Sequence, residues 1–158
     1  LSPAPTSESF ALIRQFGDGT MKMGCPPMEI GAVDVRDVAE AHMRAAFIPE
    51  AEGRHITSCR TVSFLEIGQI LRERFGEDWP FPRRELPKWL LWLVGPLANR
   101  TVTRRMVVRN MGHPWKADNS KSKRAFGLEY RPIEDALAEM FQQLIDTGQL
   151  RPPAGRRG

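Results

Sequence analysis

Glycine and proline divide this chain into short segments. The 158 residues include 13 glycines and 13 prolines, and several of the stretches between them have room for a helix of about two to four turns. Several stretches carry apolar residues at helical spacing, begin near a serine, threonine or aspartate, and stop at a glycine or proline. This is the pattern of capped amphipathic helices. The sequence therefore predicts a fold dominated by short helices.

The clearest helical pattern lies between Ser63 and Gly76. Phe64, Ile67 and Leu71 share one face of a helix that Ser63 would cap, and glycine is the residue that most often ends a helix. Elsewhere Thr6 or Ser7 would start a helix. In all, the patterns predict helices over residues 7–16, 38–47, 63–75, 87–94 with a break before Pro96, 120–126, and 133 to a stop at Gly148, with a less regular pattern over 101–111.

Strand patterns are fewer and shorter. The segment AVDV at 32–35 can form a strand, and residues 53–59 alternate β-branched with polar side chains, which also favours a strand. Residues 20–31 contain Gly24, Pro26 and Pro27 and are predicted to form a loop or an edge segment. We therefore expect two or three short strands against five or six helices, an α/β fold that is rich in helix.

Composition excludes several classes of protein. The longest apolar run, Trp89 to Gly95, is well short of the roughly 20 residues that cross a bilayer, so we expect a soluble protein without a membrane partner. The two cysteines suggest no disulfide framework, so we expect a cytoplasmic location. Cys25 and Cys59 are far apart in sequence, which predicts neither a disulfide framework nor a zinc site. The net charge is only +4, so nucleic acid is not an expected partner. The densest basic stretch comprises Arg104, Arg105, Arg109, Lys116, Lys121, Lys123 and Arg124.

Common catalytic and binding motifs are absent from this sequence. The glycine cluster GDGTMKMG at 17–24 has Lys22 where a dinucleotide-binding turn needs its third glycine, and it follows a helix rather than a strand. His55 and Cys59 would lie about 13 Å apart along a strand, which is too far to share a metal ion. No G-x-S-x-G motif indicates a serine hydrolase. The residues alone therefore predict no catalytic site and no metal site.

Two segments nevertheless resemble parts of a known family. VDVRDVAEAHMRAA, ending at Ala46, resembles the strand, turn and helix found past the middle of extended short-chain dehydrogenases/reductases, the NAD(P)-dependent epimerase/dehydratase superfamily. DNSKSKRAFGLEYRPIEDAL, ending at Leu137, resembles a segment near the C-terminus of the same proteins. The resemblance runs from about Ser2 to Thr147 and is closest to the branch of dihydroflavonol-4-reductases and cinnamoyl-CoA reductases.

Local capping patterns predict structural roles within these two segments, and these roles agree with the resemblance. Asp37 would cap the helix 38–47, a contribution of about 1 kcal/mol, and would act as a joint rather than a catalyst. Asn119 or Ser120 would cap the following short helix, and Gly127 would close that helix in the left-handed conformation.

The resemblance also shows which parts of such an enzyme this sequence lacks. Members carry a glycine-rich turn that binds the dinucleotide and a Tyr-x-x-x-Lys pair that relays a proton. This sequence has one tyrosine, Tyr130, and Glu134 stands four residues later. We therefore expect residues 1–150 to be the C-terminal, substrate-binding part of a Rossmann-like extended reductase, and residues 151–158 to be a disordered basic tail.

Several functional expectations follow from this assignment. The parent would be an oxidoreductase that uses NAD or NADP and acts on a carbonyl or hydroxyl of a small substrate, while this chain alone would bind no cofactor and be inactive. Its partners would be the missing dinucleotide-binding half and, because helix faces 38–47 and 63–75 would be uncovered, further copies of itself. The alternative is a stand-alone, non-catalytic binding or regulatory module. Apolar candidates for the substrate pocket are Met23, Met28, Ile30 and Trp115.

Overall fold

The computed structural model describes residues 7–49, 51–98 and 103–153. Over these ranges the chain forms seven α-helices and one two-stranded sheet, in agreement with the predicted helix-rich α/β fold. Thr6, residues 101–102 and the tail from 154 to 158 lie outside the described residues. The elements in chain order are α1 Glu8–Gly17, β1 Glu29–Ala32, α2 Val35–Phe47, β2 Arg60–Ser63, α3 Phe64–Phe75, α4 Lys88–Ala98, α5 Arg104–Asn110, α6 Ser120–Phe126 and α7 Ile133–Asp146.

These elements belong to two compact units. The first unit draws its described residues from Leu1–Met28, Ser63–His113 and Leu137–Gly158, and the second from Glu29–Val62 and Pro114–Ala136. The first unit therefore holds α1, α3, α4, α5 and most of α7. The second unit holds α2, α6 and the β1–β2 sheet apart from Ser63, the last residue of β2.

Side-chain caps fix the starts of several helices. Ser7 accepts a hydrogen bond from the backbone N–H of Phe10 at 3.5 Å, and Ser63 accepts one from Glu66 at 3.1 Å. Each bond satisfies a donor that has no partner inside the helix. Gly76 follows α3 with a φ of +88°, a conformation that glycine adopts without strain. The predicted starts of α1 and α3, and the predicted end of α3, are confirmed.

An aromatic cluster forms much of the core of the first unit. The Phe141 ring on α7 lies 4.6 Å from Phe75, 4.9 Å from Trp79 and 5.3 Å from Phe81, measured between ring centroids. Phe141 is fully buried. Offset and edge-to-face ring pairs of this kind stabilise a core beyond their buried area. The cluster fastens the end of α3 to α7 and to the proline-rich segment 79–82.

The strand predictions needed correction. Residues 53–59 form no strand; the strand is Arg60–Ser63, and it pairs with Glu29–Ala32 rather than with a segment at 32–35. The N–H of Cys59 donates to Ala32 and that of Phe64 donates to Met28, so the two strands run antiparallel. Alternation reports which side chains can face a core, but a strand forms only where a neighbouring strand supplies the ladder.

The predicted end of the helix at 87–94 is also wrong. α4 continues to Ala98 and contains Pro96. Proline removes the hydrogen bond that would reach back to the Trp92 carbonyl, but Trp92 is exposed, so water can reach that part of the helix. Because Pro96 lies two residues before the end of α4, the helix tolerates it.

In the part of the chain that the structure describes, no helix combines the length and the apolarity that crossing a bilayer requires. Neither Cys25 nor Cys59 forms a disulfide.

Candidate functional site

The start of α2 is held by two buried aspartates. Asp34 is the N-cap, and its carboxylate accepts hydrogen bonds from the backbone N–H of Arg36 at 2.8 Å and from the Arg36 Nε at 2.9 Å. The prediction that Asp37 caps this helix is therefore wrong. The helix begins three residues earlier than expected, which places Asp37 in its first turn.

Asp37 instead joins α2 to the segment that follows α6. One carboxylate oxygen accepts a hydrogen bond from the backbone N–H of Arg131 at 2.9 Å, and the other accepts from the Arg131 guanidinium. Asp37 is fully buried. A buried carboxylate is tolerated only when charges and donors surround it, and Arg131 supplies both. Asp37 is thus a structural joint, as expected, but by a contact with Arg131 across 94 residues rather than as a cap.

Arg44 makes a second joint near the other end of α2. Its guanidinium donates hydrogen bonds to the backbone oxygens of Phe126 and Gly127, at 2.9 Å to the latter, and also pairs with Glu40. Gly127 has a φ of +58°, so the prediction that it closes α6 in the left-handed conformation is confirmed. We call the contacts of Asp37 with Arg131 and of Arg44 with Phe126 and Gly127 the α2 clamp. The clamp joins the two segments that carry the family resemblance.

The predicted caps of α6 are only partly correct. Asn119 occupies the N-cap position but makes no capping hydrogen bond with its side chain. Its side-chain amide donates instead to the backbone oxygens of Ser58 and Cys59, at 2.6 Å and 3.2 Å. Ser120 is the first helical residue, and its N–H donates to Asp118 at 2.8 Å. Asp118 therefore provides the side-chain contact that was expected of Asn119 or Ser120.

Electrostatics in the second unit favour ionised carboxylates. The hydrogen bond from the Arg36 side chain holds the pKa of Asp34 below its usual value. In the same way the Arg60 side chain, 2.5 Å from Glu134, lowers the pKa of that glutamate. Hydrogen bonds and opposite charges both favour the charged form. Asp34 therefore holds the start of α2, and Glu134 holds the start of α7 to β2, more firmly at neutral pH than in acid.

Two of the four pocket candidates lie on the sheet of the second unit. Ile30 is in β1, and the Trp115 ring lies so close to Gly31 that a side chain there would approach it to 2.4 Å. The backbone N–H of Trp115 donates to Glu29 at 2.9 Å, and its carbonyl accepts from the Thr61 hydroxyl at 3.0 Å. Both strands thus hold the segment that carries Trp115, whose side chain remains 44% exposed.

The other two candidates belong to the first unit. Met23 is 71% exposed, and its backbone oxygen accepts a hydrogen bond from Arg84. Met28 accepts one from the N–H of Phe64 with its backbone oxygen. Ile30 and Trp115 thus both lie in the second unit, whereas Met23 and Met28 belong to the first. A role of any of these four in a substrate pocket stays a prediction.

Two features of this region escaped prediction from sequence. Gly31 lies in the segment 20–31 that was predicted to form a loop or an edge segment, although a glycine inside a strand also marks a close approach of another group, here the Trp115 ring. The Ser58 hydroxyl is buried without a hydrogen-bond partner, and no sequence signal distinguishes it. The Tyr130 hydroxyl, by contrast, hydrogen-bonds Ser122 at 2.9 Å, and Lys123 lies over the Tyr130 ring.

The residues considered as metal ligands have other contacts. The His55 ring packs against Phe126 with centroids 4.5 Å apart, and the Cys59 Sγ lies 3.4 Å from the Arg131 backbone oxygen. In the described ranges, no three or more His, Cys, Asp and Glu side chains come together as a metal site would require.

A shallow groove in the first unit lies between the end of α3 and α7. Its volume is about 650 Å³. None of the predicted pocket residues lines it. The lining residues are Arg74, Phe75, Ala138, Glu139, Gln142, Gln143 and Asp146.

The basic stretch noted in the sequence is divided between the two units. Arg104 lies over the Trp92 ring at 4.7 Å in the first unit. Lys121 donates to the backbone oxygens of Glu52 and Arg54 in the second. Several of these cations therefore already serve contacts within their own unit.

Comparison with known proteins supports a coarse assignment. No model of a known protein family matches the chain. Cinnamoyl-CoA reductase 1 of Petunia hybrida and cinnamoyl-CoA reductase 2 of Arabidopsis thaliana are each 31% identical to it over 121 residues, which are 77% of this chain and 30% of each relative. The solved structure titled "Crystal structure of gox2253" matches with a TM-score of 0.69 and 17% identity, over 92% of this chain and 46% of that one.

These matches have two consequences. The sequence similarity supports a reductase-like family, and the structural match shows a shared fold. The chain spans about 30% of the length of the curated relatives and less than half of the solved structure.

Proposed function

We propose that this chain is the C-terminal, substrate-binding part of an NAD(P)-dependent reductase related to cinnamoyl-CoA and dihydroflavonol reductases. The parent protein would reduce a carbonyl, or oxidise a hydroxyl, of a small substrate. The cofactor turn and the proton-relaying tyrosine and lysine would lie in the half of the parent that precedes this chain. The observation that carries the proposal is the 31% identity to two cinnamoyl-CoA reductases over 77% of the chain.

The structural match supports the same proposal. A TM-score of 0.69 over 92% of this chain but 46% of the matched structure is what a part of a larger Rossmann-like enzyme would give. The α2 clamp adds a physical reason. It connects the two segments that resemble the family, so both would be retained together if the reductase architecture requires α2 in this position.

An exposed face of α2 supports the proposed position of the missing half. Val35, Met43 and Phe47 point to solvent, Phe47 with 78% of its side chain exposed, and Ala39 and Ala46 are exposed between them. The spacing of three and four residues puts all five on one side of the helix. We call this set the α2 stripe. In the proposal, the dinucleotide-binding half covers the α2 stripe.

The test is to express the chain alone and joined to the sequence encoded upstream of it. The joined protein is expected to bind NADH or NADPH and to oxidise it in the presence of an aldehyde or thioester substrate, while the chain alone does neither. Reduced-cofactor fluorescence and absorbance measure both. An upstream sequence that lacks the glycine-rich turn and the Tyr-x-x-x-Lys pair would refute the proposal and favour a non-catalytic module. Turnover by the chain alone would also refute the proposal, because the catalytic groups would then lie within this chain.

A further inference from the structure

The most apolar helix of the chain lies at the surface. Six consecutive apolar residues from Trp89 to Val94 form the middle of α4, and none of them is buried. Trp89 is 67% exposed and Leu93 53% exposed, and Trp92 and Val94 are exposed as well. On the neighbouring α5, Val108 is also exposed. Apolar residues concentrated at one surface indicate a site of interaction rather than ordinary surface variation.

The sequence that contains α4 and α5 carries cations and no acidic residues. From Leu86 to Ala117 the sequence contains no aspartate or glutamate, and it contains six cations: Lys88, Arg100, Arg104, Arg105, Arg109 and Lys116. An interval of this length without one acidic residue is unusual in a chain with 19 of them, and it coincides with the exposed apolar helix.

Contacts place two of these cations beside the apolar residues. The Arg104 guanidinium lies 4.7 Å from the centre of the Trp92 ring, and Lys88 donates to the Val108 backbone oxygen at 3.1 Å. Arg105 and Arg109 on α5 are exposed. We call Trp89, Trp92, Leu93 and Val94, together with Lys88, Arg104, Arg105 and Arg109, the α4–α5 surface. It combines exposed tryptophan and leucine with flanking arginine and lysine.

We propose that the α4–α5 surface docks on a membrane whose headgroups are anionic, with α4 lying in the plane of the interface. Tryptophan is enriched at the level of lipid headgroups. An apolar helix face with cations around it binds anionic bilayers by inserting the apolar side chains and attracting the headgroups. α4 has 11 residues, too few to cross a bilayer but enough to lie on one.

The charge of the surface argues against the other occupants. Two copies meeting face to face through it would bring Arg104, Arg105 and Arg109 of each against the same cations of the other. Nucleic acid would satisfy the cations but would leave Leu93, Val94 and Val108 exposed. The sequence-based expectation of no membrane partner rested on the length of the apolar run, which excludes crossing and not lying on the surface.

The test is sedimentation of the full chain with phosphatidylcholine vesicles that contain phosphatidylserine, and with vesicles of phosphatidylcholine alone. Binding to the anionic vesicles is expected, weakening as salt rises. Trp89→Ser with Leu93→Ser should abolish it. Arg105→Gln and Arg109→Gln should weaken it by about fivefold for each charge removed. The matched control is Phe47→Ser, an equally exposed apolar residue outside the surface, which should bind as the unmodified chain does.

Circular dichroism of each variant establishes that it is folded. The proposal is overturned if the folded chain does not sediment with anionic vesicles, or if Phe47→Ser reduces binding as much as the α4 variant. It is also overturned if the α4 variant changes only the oligomeric state, which would identify a second copy as the occupant. Loss of vesicle binding on joining the upstream half would identify that half as the occupant. The result does not depend on NAD(P)H turnover, so the proposed function and this inference can fail separately.

Discussion

α2 and α3 were both predicted to present an uncovered apolar face, but the structure shows such a face only on α2. α3 buries Phe64, Ile67, Ile70 and Leu71 inside the first unit, so the expectation of an uncovered face is wrong for α3. α2 buries only Asp37 and Ala41 and leaves the α2 stripe at the surface, in line with the expectation. Similar amphipathic patterns therefore ended in different environments.

The two helices are also held by different forces. α3 is held mainly by apolar burial, for example by the Phe16 ring at 5.9 Å from Phe64. α2 is held in large part by the hydrogen bonds and ion pairs of the α2 clamp. A helix that is fixed through polar contacts can keep an apolar face uncovered, which is what a surface reserved for another protein segment requires. The comparison predicts that truncating an apolar side chain lowers the free energy of unfolding more in α3 than in α2, and that α2 depends more on its polar contacts.

The largest effect is expected from apolar truncation in α3. Leu71→Ala removes a fully buried side chain and should lower the free energy of unfolding by about 2–5 kcal/mol. Met43→Ala, on the exposed stripe of α2, should change it by less than about 0.5 kcal/mol. Denaturant unfolding followed by circular dichroism measures both. Equal losses at the two positions would contradict the contrast between the helices.

A smaller effect is expected from breaking the α2 clamp. Asp37→Ala removes the acceptor for both the backbone N–H and the guanidinium of Arg131, and should cost about 1.5–3 kcal/mol. Glu40→Gln, which alters a half-exposed pair with Arg44 on the same helix, should cost about 0.3–0.5 kcal/mol. Hydrogen exchange at the Arg131 amide should accelerate in Asp37→Ala alone. An unchanged Arg131 exchange rate would show that Asp37 does not hold that segment.

The sequence carried much of the information on α1 and α3 and less on the second unit. Ser63 caps the start of α3 and Gly76 caps its end, and each of these residues makes its capping contact with a residue three or four positions away. Contacts over so few residues can be recognised from the sequence alone. Asp37 could not be assigned in the same way, because Asp34 is an equally good cap and the partner of Asp37 is 94 residues distant. The strand at 60–63 depended on β1, which is nearly 30 residues earlier.

The candidate site was harder to predict than the fold. Trp115 is fixed by Glu29, Gly31 and Thr61, which no periodicity connects to it. Asn119 looked like a cap, but it has two backbone oxygens within reach in the segment 58–59, and its side chain binds these instead. Side-chain choices of this kind depend on which segments the fold brings close, and local propensity does not encode that.

Carboxylates of the second unit should make the protein sensitive to acid. In the second unit the pKa values of Asp34 and Glu134 are lowered by arginine partners. The folded state therefore binds protons less readily than the unfolded state. The stability that these carboxylates contribute should be complete above about pH 4–5 and should be lost as the pH falls through their lowered pKa values. Asp34→Asn should reduce the acid sensitivity of thermal unfolding, and an unchanged pH profile would contradict this assignment.

Thiols should make the protein sensitive to alkali, because burial raises the pKa of Cys25 in the first unit and of Cys59 in the second. Burial raises the pKa of Cys25 to about 11 from an ordinary value of 9.0, so the stability associated with the neutral thiol is present below about pH 9 and is lost as the pH rises toward 11. Cys25→Ser should flatten the alkaline side of the unfolding profile. If Cys25→Ser changed the acid side of the unfolding profile instead, the Cys25 thiol would not be the group responsible for the loss of stability in alkali.

The smallest effect on stability, and the sharpest test of the comparison, is expected at Phe47. Phe47→Ser replaces the most exposed large apolar residue of the α2 stripe and should leave the free energy of unfolding within about 0.5 kcal/mol of its original value. If the stripe is uncovered because its partner is absent, the unmodified chain should self-associate at high concentration, and this variant should do so less. Light scattering measures the difference, and Ile56→Ser, another exposed apolar position in the second unit, is the matched control. A monodisperse monomer of the unmodified chain, or an equal response to both variants, would mean that the exposed face of α2 is ordinary surface and that the two helices differ only in burial.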